Sequence, residues 1–424
     1  MAGASRKPRT KCCAVMRHRP GSRRIKMLLN QNRLLREMDH CGFDAIIGTA
    51  AENVTYLSGF WALPQWIRPG PQAYALQSRK GDAVDMSSII TSSGTLDLVA
   101  DQDVTVERVR RYGEFSFQAG SNDKLDRASR KLMAMQAGTC FAHPIEALAA
   151  EIKELSLERS RIGIDIDGLQ PGYLEKLKAS VPDAHFVDAT STLRKVRTVK
   201  TSEEIARLRR VGQIAEQAVD AALGAAHAGM TEVEMARVFH TTTVQADAVP
   251  VLGCIGFGER SALMNVQPSD RELRQGDVIR FDVGGRYKHY RADIARIAMF
   301  GQNSEAVNQL YAALRSGVEL GARLARPGAK ASEVFLSVCE EVRRCGIANY
   351  QRNHVGHGIG LDGYDAPLLS ASSKDVLEEG MVICIETPYY QIGAYGLQVE
   401  DMFVITAEGA ERLTDAGPLK VIAP

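Results

Sequence analysis

The stretch that most constrains this chain is GDVIRFDVGGRYKHYRADIAR, Gly276 to Arg296. Ile279, Phe281 and Val283 alternate with Arg280, Asp282 and Gly284, the period of a half-buried strand. Gly284 and Gly285 punctuate it, Arg286 to His289 form a polar connection, and Tyr290 to Ile297 return to an extended pattern. Each arm carries one aspartate, Asp282 and Asp293, inside an otherwise well-formed strand. A carboxylate buried in a sheet costs several kcal/mol unless a cation or a donor meets it. Two on neighbouring arms also repel each other. Either both acids sit on a solvated face, or they are half of a metal site.

A second hairpin decides for the metal site. MVICIETPYYQIGAYGLQVEDMFVIT, Met381 to Thr406, repeats the design with Gly393 and Gly396 in its connection. Glu386 ends the first arm and Glu400 sits in the second, where Gln398, Glu400 and Met402 are expected to share one side. Between the hairpins lies HVGHGIGLDGYDAP, in which His357 is flanked by Gly356, Gly358 and Gly360. Glycines there let backbone approach a ligand closely. Asp, Asp, His, Glu, Glu is an oxygen-rich donor set with one imidazole. Its four carboxylates balance two divalent cations and leave room for a water.

These residues, in this order, resemble the aminopeptidase P, prolidase, methionine aminopeptidase and creatinase family. FDVGG…ADIAR matches that family's Asp pair, eleven residues apart here, GHGIGLD its histidine segment, and CIETP and QVEDMFVIT its two glutamates. The detailed resemblance spans Thr190 to Leu413, and the joint motif is far more specific than any one part. It implies an α+β protein with a pita-bread catalytic domain of two helix–helix–hairpin halves, preceded by an α/β creatinase-type N-terminal domain. It implies that Asp282, Asp293, His357, Glu386 and Glu400 bind two divalent metal ions, manganese first and cobalt, iron or zinc as alternatives. Glu386, with His357, takes the catalytic place, Glu386 as proton shuttle. The expected reaction is hydrolysis of an amide-type C–N bond in a small Xaa-Pro peptide, by a cytoplasmic homodimer with Trp61 to Trp66 near the partner's site.

The departures from the family pattern fall on the substrate side. A histidine usual eleven residues before the Gly-Asp turn is Asn265, and one usual seven residues after the ligand histidine is Tyr364. A third, four before it in proline-directed members, is Asn353, and the arginine usual two before the last glutamate is Gln398. Asn and Tyr still donate hydrogen bonds, but neither supplies a proton at neutral pH as imidazole does. His354 is a possible substitute. In an unbroken strand, however, it would point away from the face that His357 and Asn353 share. Metal chemistry therefore looks intact while the substrate pocket looks rebuilt. Three other readings stay open: a non-peptide C–N hydrolase, a lyase on the same scaffold, and a metal-stabilised binding protein without turnover.

At 424 residues the chain has room for two or three domains. The boundaries expected are a basic, disordered tail over 1–26, an N-terminal domain over 27–189 and the catalytic domain over 190–424. The net charge of +1 hides an asymmetry, because residues 1–26 hold nine Lys or Arg and no acid, leaving 43 basic against 51 acidic residues beyond. That tail lacks aromatic interleaving, so nucleic-acid binding is not expected. No apolar run approaches a membrane span. The eight cysteines are scattered without a CxxC pair, the pattern of reduced thiols. In the N-terminal half, strands are expected over Tyr74–Leu76, Thr105–Val109 and Arg161–Asp167, and helices over Asp123–Gln136 and Ile145–Leu157. Asp165 and Asp167 read as a solvated face. Thr201 with Glu204, and Thr231 with Glu234, fit capping boxes that open two helices. His227 and His240 are expected on helices.

Overall fold

The computed structural model describes residues 28–62, 72–118, 120 and 124–424. The basic tail over 1–26 and Trp66 lie outside them. The chain forms two compact units that part between Val196 and Arg197.

The first unit opens with α1 (Gln31–Cys41), capped by the Asn30 side chain and ended by Gly42 in the left-handed region. Its strands are β1 (Ala45–Gly48), β2 (Tyr74–Lys80), β3 (Ala83–Ser92), β4 (Arg108–Tyr112), β5 (Cys140–Phe141), β6 (Arg161–Ile164) and β7 (His185–Asp188). They form one mixed sheet in the order β5-β4-β3-β2-β1-β6-β7. Its helices are α2 (Ala51–Ser58), α3 (Leu96–Asp101), α4 (Arg127–Gln136), α5 (Pro144–Glu154) and α6 (Tyr173–Ser180), and α7 (Thr190–Thr198) runs across the boundary. Ile145, Leu148 and Ile152 of α5 pack with Ile47, Leu76 and Ile90 of the sheet in one apolar cluster. The expectation for Asp165 is corrected: it is fully buried. Its carboxylate accepts from the Thr49 and Ala50 amides at 3.2 and 2.8 Å, from Asn53 Nδ2 at 2.7 Å and from the Asp167 amide at 3.0 Å. Those donors offset the desolvation that a sequence pattern alone cannot weigh.

The second unit begins with α8 (Ser202–Gly224) and α9 (Glu232–Gln245), and both expected capping boxes form. Beyond α8 the chain turns through His227, which is exposed and not helical. Next come β8 (Val249–Phe257), a 3-10 turn over Gly258–Ala262, β9 (Val278–Tyr287), β10 (Tyr290–Arg291) and β11 (Ile294–Phe300). The second half repeats the plan with α10 (Glu305–Leu324), α11 (Ala331–Arg344), β12 (His354–Gly358), β13 (Asp365–Ser370) and β14 (Val382–Glu386). It closes with β15 (Tyr389–Gln391), β16 (Tyr395–Leu397), β17 (Glu400–Thr406), β18 (Gly409–Arg412) and β19 (Lys420–Ile422). The two halves share one sheet, β10-β9-β11-β17-β14-β12-β13, with β8 on β9, β18 on β17 and β19 on β11. The halves join where β11 pairs with β17. Val307, Tyr311, Leu314 and Val318 of α10 face Val334, Val338 and Val342 of α11 over Ile383 and Ile385 of β14. Each such fully buried aliphatic side chain contributes about 1.5–3 kcal/mol. That core covers one face of the sheet, so Glu386 of β14 and Glu400 of β17 are turned to the other.

Candidate metal centre

Strand register brings the acids together. Asp282 of β9 lies opposite Ala295 of β11, Ala295 opposite Glu400 of β17, and Glu400 opposite Glu386 of β14. Cross-strand partners project to the same face. Three carboxylates and one small alanine therefore form a single row across four strands. His357 pairs with Cys384, which lies two residues before Glu386 and so shares its face. Asp293 stands two residues before Ala295, in the break between β10 and β11 and not within a continuous strand. Ligand atoms of Asp282, Asp293 and Glu400 lie within 4.8 Å of one another. His357 Nε2 lies 3.8 Å from Asp293 Oδ2 and 3.9 Å from Glu400 Oε1.

The atoms facing this space lack protein partners. Asp293 Oδ1, His357 Nε2 and Glu400 Oε1 are buried and make no hydrogen bond, and Glu386 Oε1, also buried, meets only the His354 imidazole. His357 Nδ1 sits 3.0 Å from the Gly358 carbonyl, which assigns the proton to Nδ1 and leaves the Nε2 lone pair free. Unmatched buried polar atoms are rare because each costs about 1–3 kcal/mol. Carboxylate oxygens and an imidazole lone pair converging on one space are what a divalent cation requires, so the residues fit a metal centre.

The acids are not alike. Burial first, and then the charge of Glu386, push Asp282 up to about 6 against the pull of Arg280. Burial and the neighbouring acids hold Asp293 and Glu400 well above the usual carboxylate range. Glu386 goes the other way: burial opposes it, but His354, His357 and Arg352 together keep it below that range. His354 Nδ1 stands 3.1 Å from Glu386 Oε1.

That contact depends on a break in the strand. Gly356 takes φ +150° and the pairing of β12 with β13 slips between His354 and His357, so the strand bulges. His354 thereby joins the face that His357 occupies, their ring centroids 6.4 Å apart. Tyr364 stacks on His357 with centroids 3.8 Å apart and planes at 18°, although its residue is 60% exposed. It forms the outer cover of the centre. Gln398 is buried and its Nε2 donates to Glu400 Oε2 at 3.2 Å. Asn353 and Asn265 are exposed, Asn265 in the turn after the 3-10 segment, and neither hydrogen-bonds to the five ligand candidates.

Three residues near the centre carry no role in the sequence reading. Cys384 Sγ lies within 4.8 Å of ligand atoms of His357 and Glu400. Arg296 is buried and donates to the Glu400 carbonyl at 2.7 Å, bolting β11 to β17 beside the row. Arg280 is fully buried with Nη1 3.2 Å from Asp282 Oδ2. An arginine two residues before Asp282, flanked by the apolar Ile279 and Phe281, was the available signal.

Two family models match the chain: metallopeptidase family M24 over residues 206–407, and the creatinase/prolidase N-terminal domain over residues 31–199. A curated Xaa-Pro dipeptidase of Pyrococcus furiosus is 31% identical over 266 residues, covering 62% of this chain and 76% of that protein. Two solved structures share the fold. The Xaa-Pro dipeptidase from Bacillus anthracis has a TM-score of 0.75 at 24% identity, over 92% of this chain and 98% of that one. The X-Pro aminopeptidase from Thermotoga maritima has a TM-score of 0.73 at 23% identity, over 93% of this chain and 99% of that one.

Proposed function

The chain belongs to metallopeptidase family M24 and is a metal-dependent hydrolase of the Xaa-Pro dipeptidase type, and from that premise we propose how its centre works and on what. Asp282, Asp293, His357, Glu386 and Glu400 hold two divalent ions, with manganese the first expectation and cobalt, iron or zinc compatible with the same donors. Bound there, the ions supply a polarised carbonyl and a water activated for attack at neutral pH. The observation that carries this reading is the set of buried, unpaired ligand atoms turned toward one another.

The protein's own residues divide the remaining work. Glu386 takes the place of the family's proton-shuttling glutamate at the end of β14, with the His354 imidazole 3.1 Å from its Oε1, so it accepts the water proton and returns it to the leaving nitrogen. His354 orients and charges Glu386 from 3.1 Å. Tyr364, lying flat on His357, shields the centre from bulk water and presents a hydroxyl to the substrate. The substrate is a small peptide or related amide. With Asn265, Tyr364, Asn353 and Gln398 where relatives of the proline-directed type carry His, His, His and Arg, an amide other than an unmodified Xaa-Pro dipeptide suits the pocket better. That departure favours the second reading, a non-peptide C–N hydrolase on a small metabolite.

The scattered thiols, free among the described residues, suit a reducing cytoplasm. A homodimer is expected, and light scattering at micromolar concentration checks it. The reaction itself is tested by titrating manganese, cobalt and zinc into metal-free protein and following turnover of dipeptides and small amides. Turnover that rises to a plateau at two ions per chain is the expected result. Purified, reconstituted protein that retains no transition metal would sink the mechanism.

A further inference from the structure

Arg280 is the largest fully buried side chain among the described residues, and all five of its N–H groups have acceptors. Nε donates to the Ser261 carbonyl at 2.8 Å, and Nη2 to those of Leu263 and Met264 at 2.7 and 2.8 Å. Nη1 donates to Gln398 Oε1 at 3.0 Å and to Asp282 Oδ2 at 3.2 Å. Gln398 passes the link on, because its Nε2 donates to Glu400 Oε2 at 3.2 Å. Tyr390 lies under the guanidinium, 5.3 Å from centroid to Cζ, and its hydroxyl donates to the same Gln398 oxygen at 3.2 Å.

A buried ion pair is a weak device for stability, since well-packed apolar residues of similar size often do as well or better. A geometric role accounts better for the charge. The three carbonyls belong to the segment that leads into Asn265, on the substrate side. The other two acceptors belong to the metal row. Lysine could not substitute, because one ammonium cannot reach five acceptors spread around a planar fork.

We propose that Arg280 is the positioning residue that holds the substrate-side wall, Ser261 to Asn265, at a fixed register against the metal ligand Asp282, with Gln398 carrying the link to Glu400. Relatives of the proline-directed type place an arginine at the position of Gln398. Here the guanidinium comes instead from β9, and no N–H is left over for a substrate. The inference rests on the proposed metal centre only in treating Asp282 and Glu400 as ligands, and the wall can be measured without metal.

The experiment compares amide hydrogen exchange of metal-free wild type, R280M, R280K and the exchanged pair R280Q/Q398R, with manganese stoichiometry measured in parallel. The amides of Leu263 and Val266, bonded to the carbonyls of Arg260 and Leu263, report the wall. Their exchange should quicken roughly tenfold or more in all three variants, the scale set by losing one hydrogen bond to a charged group. Protection of β11 and β14 should stay near wild type, and on any dipeptide turned over KM should rise more than kcat falls. Wild-type protection of Leu263 and Val266 in R280K would mean that a point charge suffices, and would overturn the proposal. So would recovery of that protection in R280Q/Q398R, which returns the guanidinium but not its fork to the three carbonyls. If R280M does not fold, those two variants decide. A wild type that binds no manganese yet shows the same loss in the variants would remove the metal centre and leave the wall standing.

Discussion

Asp293 and Glu400 differ from Asp282, which Arg280 touches at 3.2 Å, in having no guanidinium in contact with their ligand oxygens to stand in for a cation. Asp293 Oδ1 and Glu400 Oε1 are buried and unpaired. Asp293→Ala or Glu400→Ala should therefore remove at least one of two manganese ions per chain, read by elemental analysis after reconstitution; full occupancy in both variants would take these residues out of the ligand set. Asn265 and Tyr364 bear on substrate. General-acid assistance is worth about 10²–10⁴-fold, so wild type should turn over plain Xaa-Pro dipeptides poorly. N265H/Y364H should raise kcat/KM on them by at least roughly tenfold toward that range. Ordinary wild-type efficiency, or a double variant that is slower, would show that the two positions do something else. The stacking of Tyr364 on His357 makes this a demanding test, because the replacement must also keep the ligand ring in place. At this scale the sequence showed which residue types could ligate metal, since the motifs are local. It did not show that Asp165 is buried, that His354 meets Glu386, or that Arg280 joins two segments, because each depends on partners far away along the chain.

The elements divide the same way. Capping boxes at Thr201 and Thr231 were legible because cap and partner lie three residues apart. The alternation of β9 and the apolar run of β14 were legible too, since period and burial are written along a single strand. Register was not legible: nothing local says that Asp282, Ala295, Glu400 and Glu386 line up across four strands. Nor does it say that β12 bulges. Gly356 is the residue that permits the bulge, at φ +150°, and a Cβ there would collide with the Cys384 carbonyl oxygen. Gly356→Ala should therefore destabilise the second unit by about 1–3 kcal/mol for the backbone alone. It should also pull His354 and His357 out of line, with loss of metal. Urea unfolding followed by circular dichroism measures the first, and manganese stoichiometry the second. An alanine variant with wild-type midpoint and full manganese would mean that β12 can carry both histidines to the centre without the bulge.

For the whole molecule, the consequence of gathering these acids is a stability that depends on pH and on metal together. Without metal, burial and the Glu386 charge push Asp282 up to about 6, and burial and neighbouring acids hold Asp293 and Glu400 well above their usual values. Unfolded carboxylates titrate near about 4. Above that value the folded, metal-free protein keeps protons that the unfolded chain has released, and stability falls as pH rises wherever the native state binds more protons. The contribution is thus complete below the unfolded values and lost as pH passes the raised ones. Glu386, held low, contributes in the opposite sense and offsets part of it. Away from the centre, Glu204 and Asp401 are pushed up to about 7 and about 6 by burial, so they share the downward slope whether or not metal is present. The difference between metal-loaded and metal-free protein isolates the centre, because bound cations replace its protons and hold the acids ionised. Trp61 belongs to the first unit, so its fluorescence does not follow this transition. Amide exchange in β11 and β14 does. The protection gained on adding manganese should widen steadily between about pH 5 and pH 8, and D293N/E400Q should flatten the metal-free slope. A gain that stays constant across that interval would mean that the clustered acids are not what the metal neutralises.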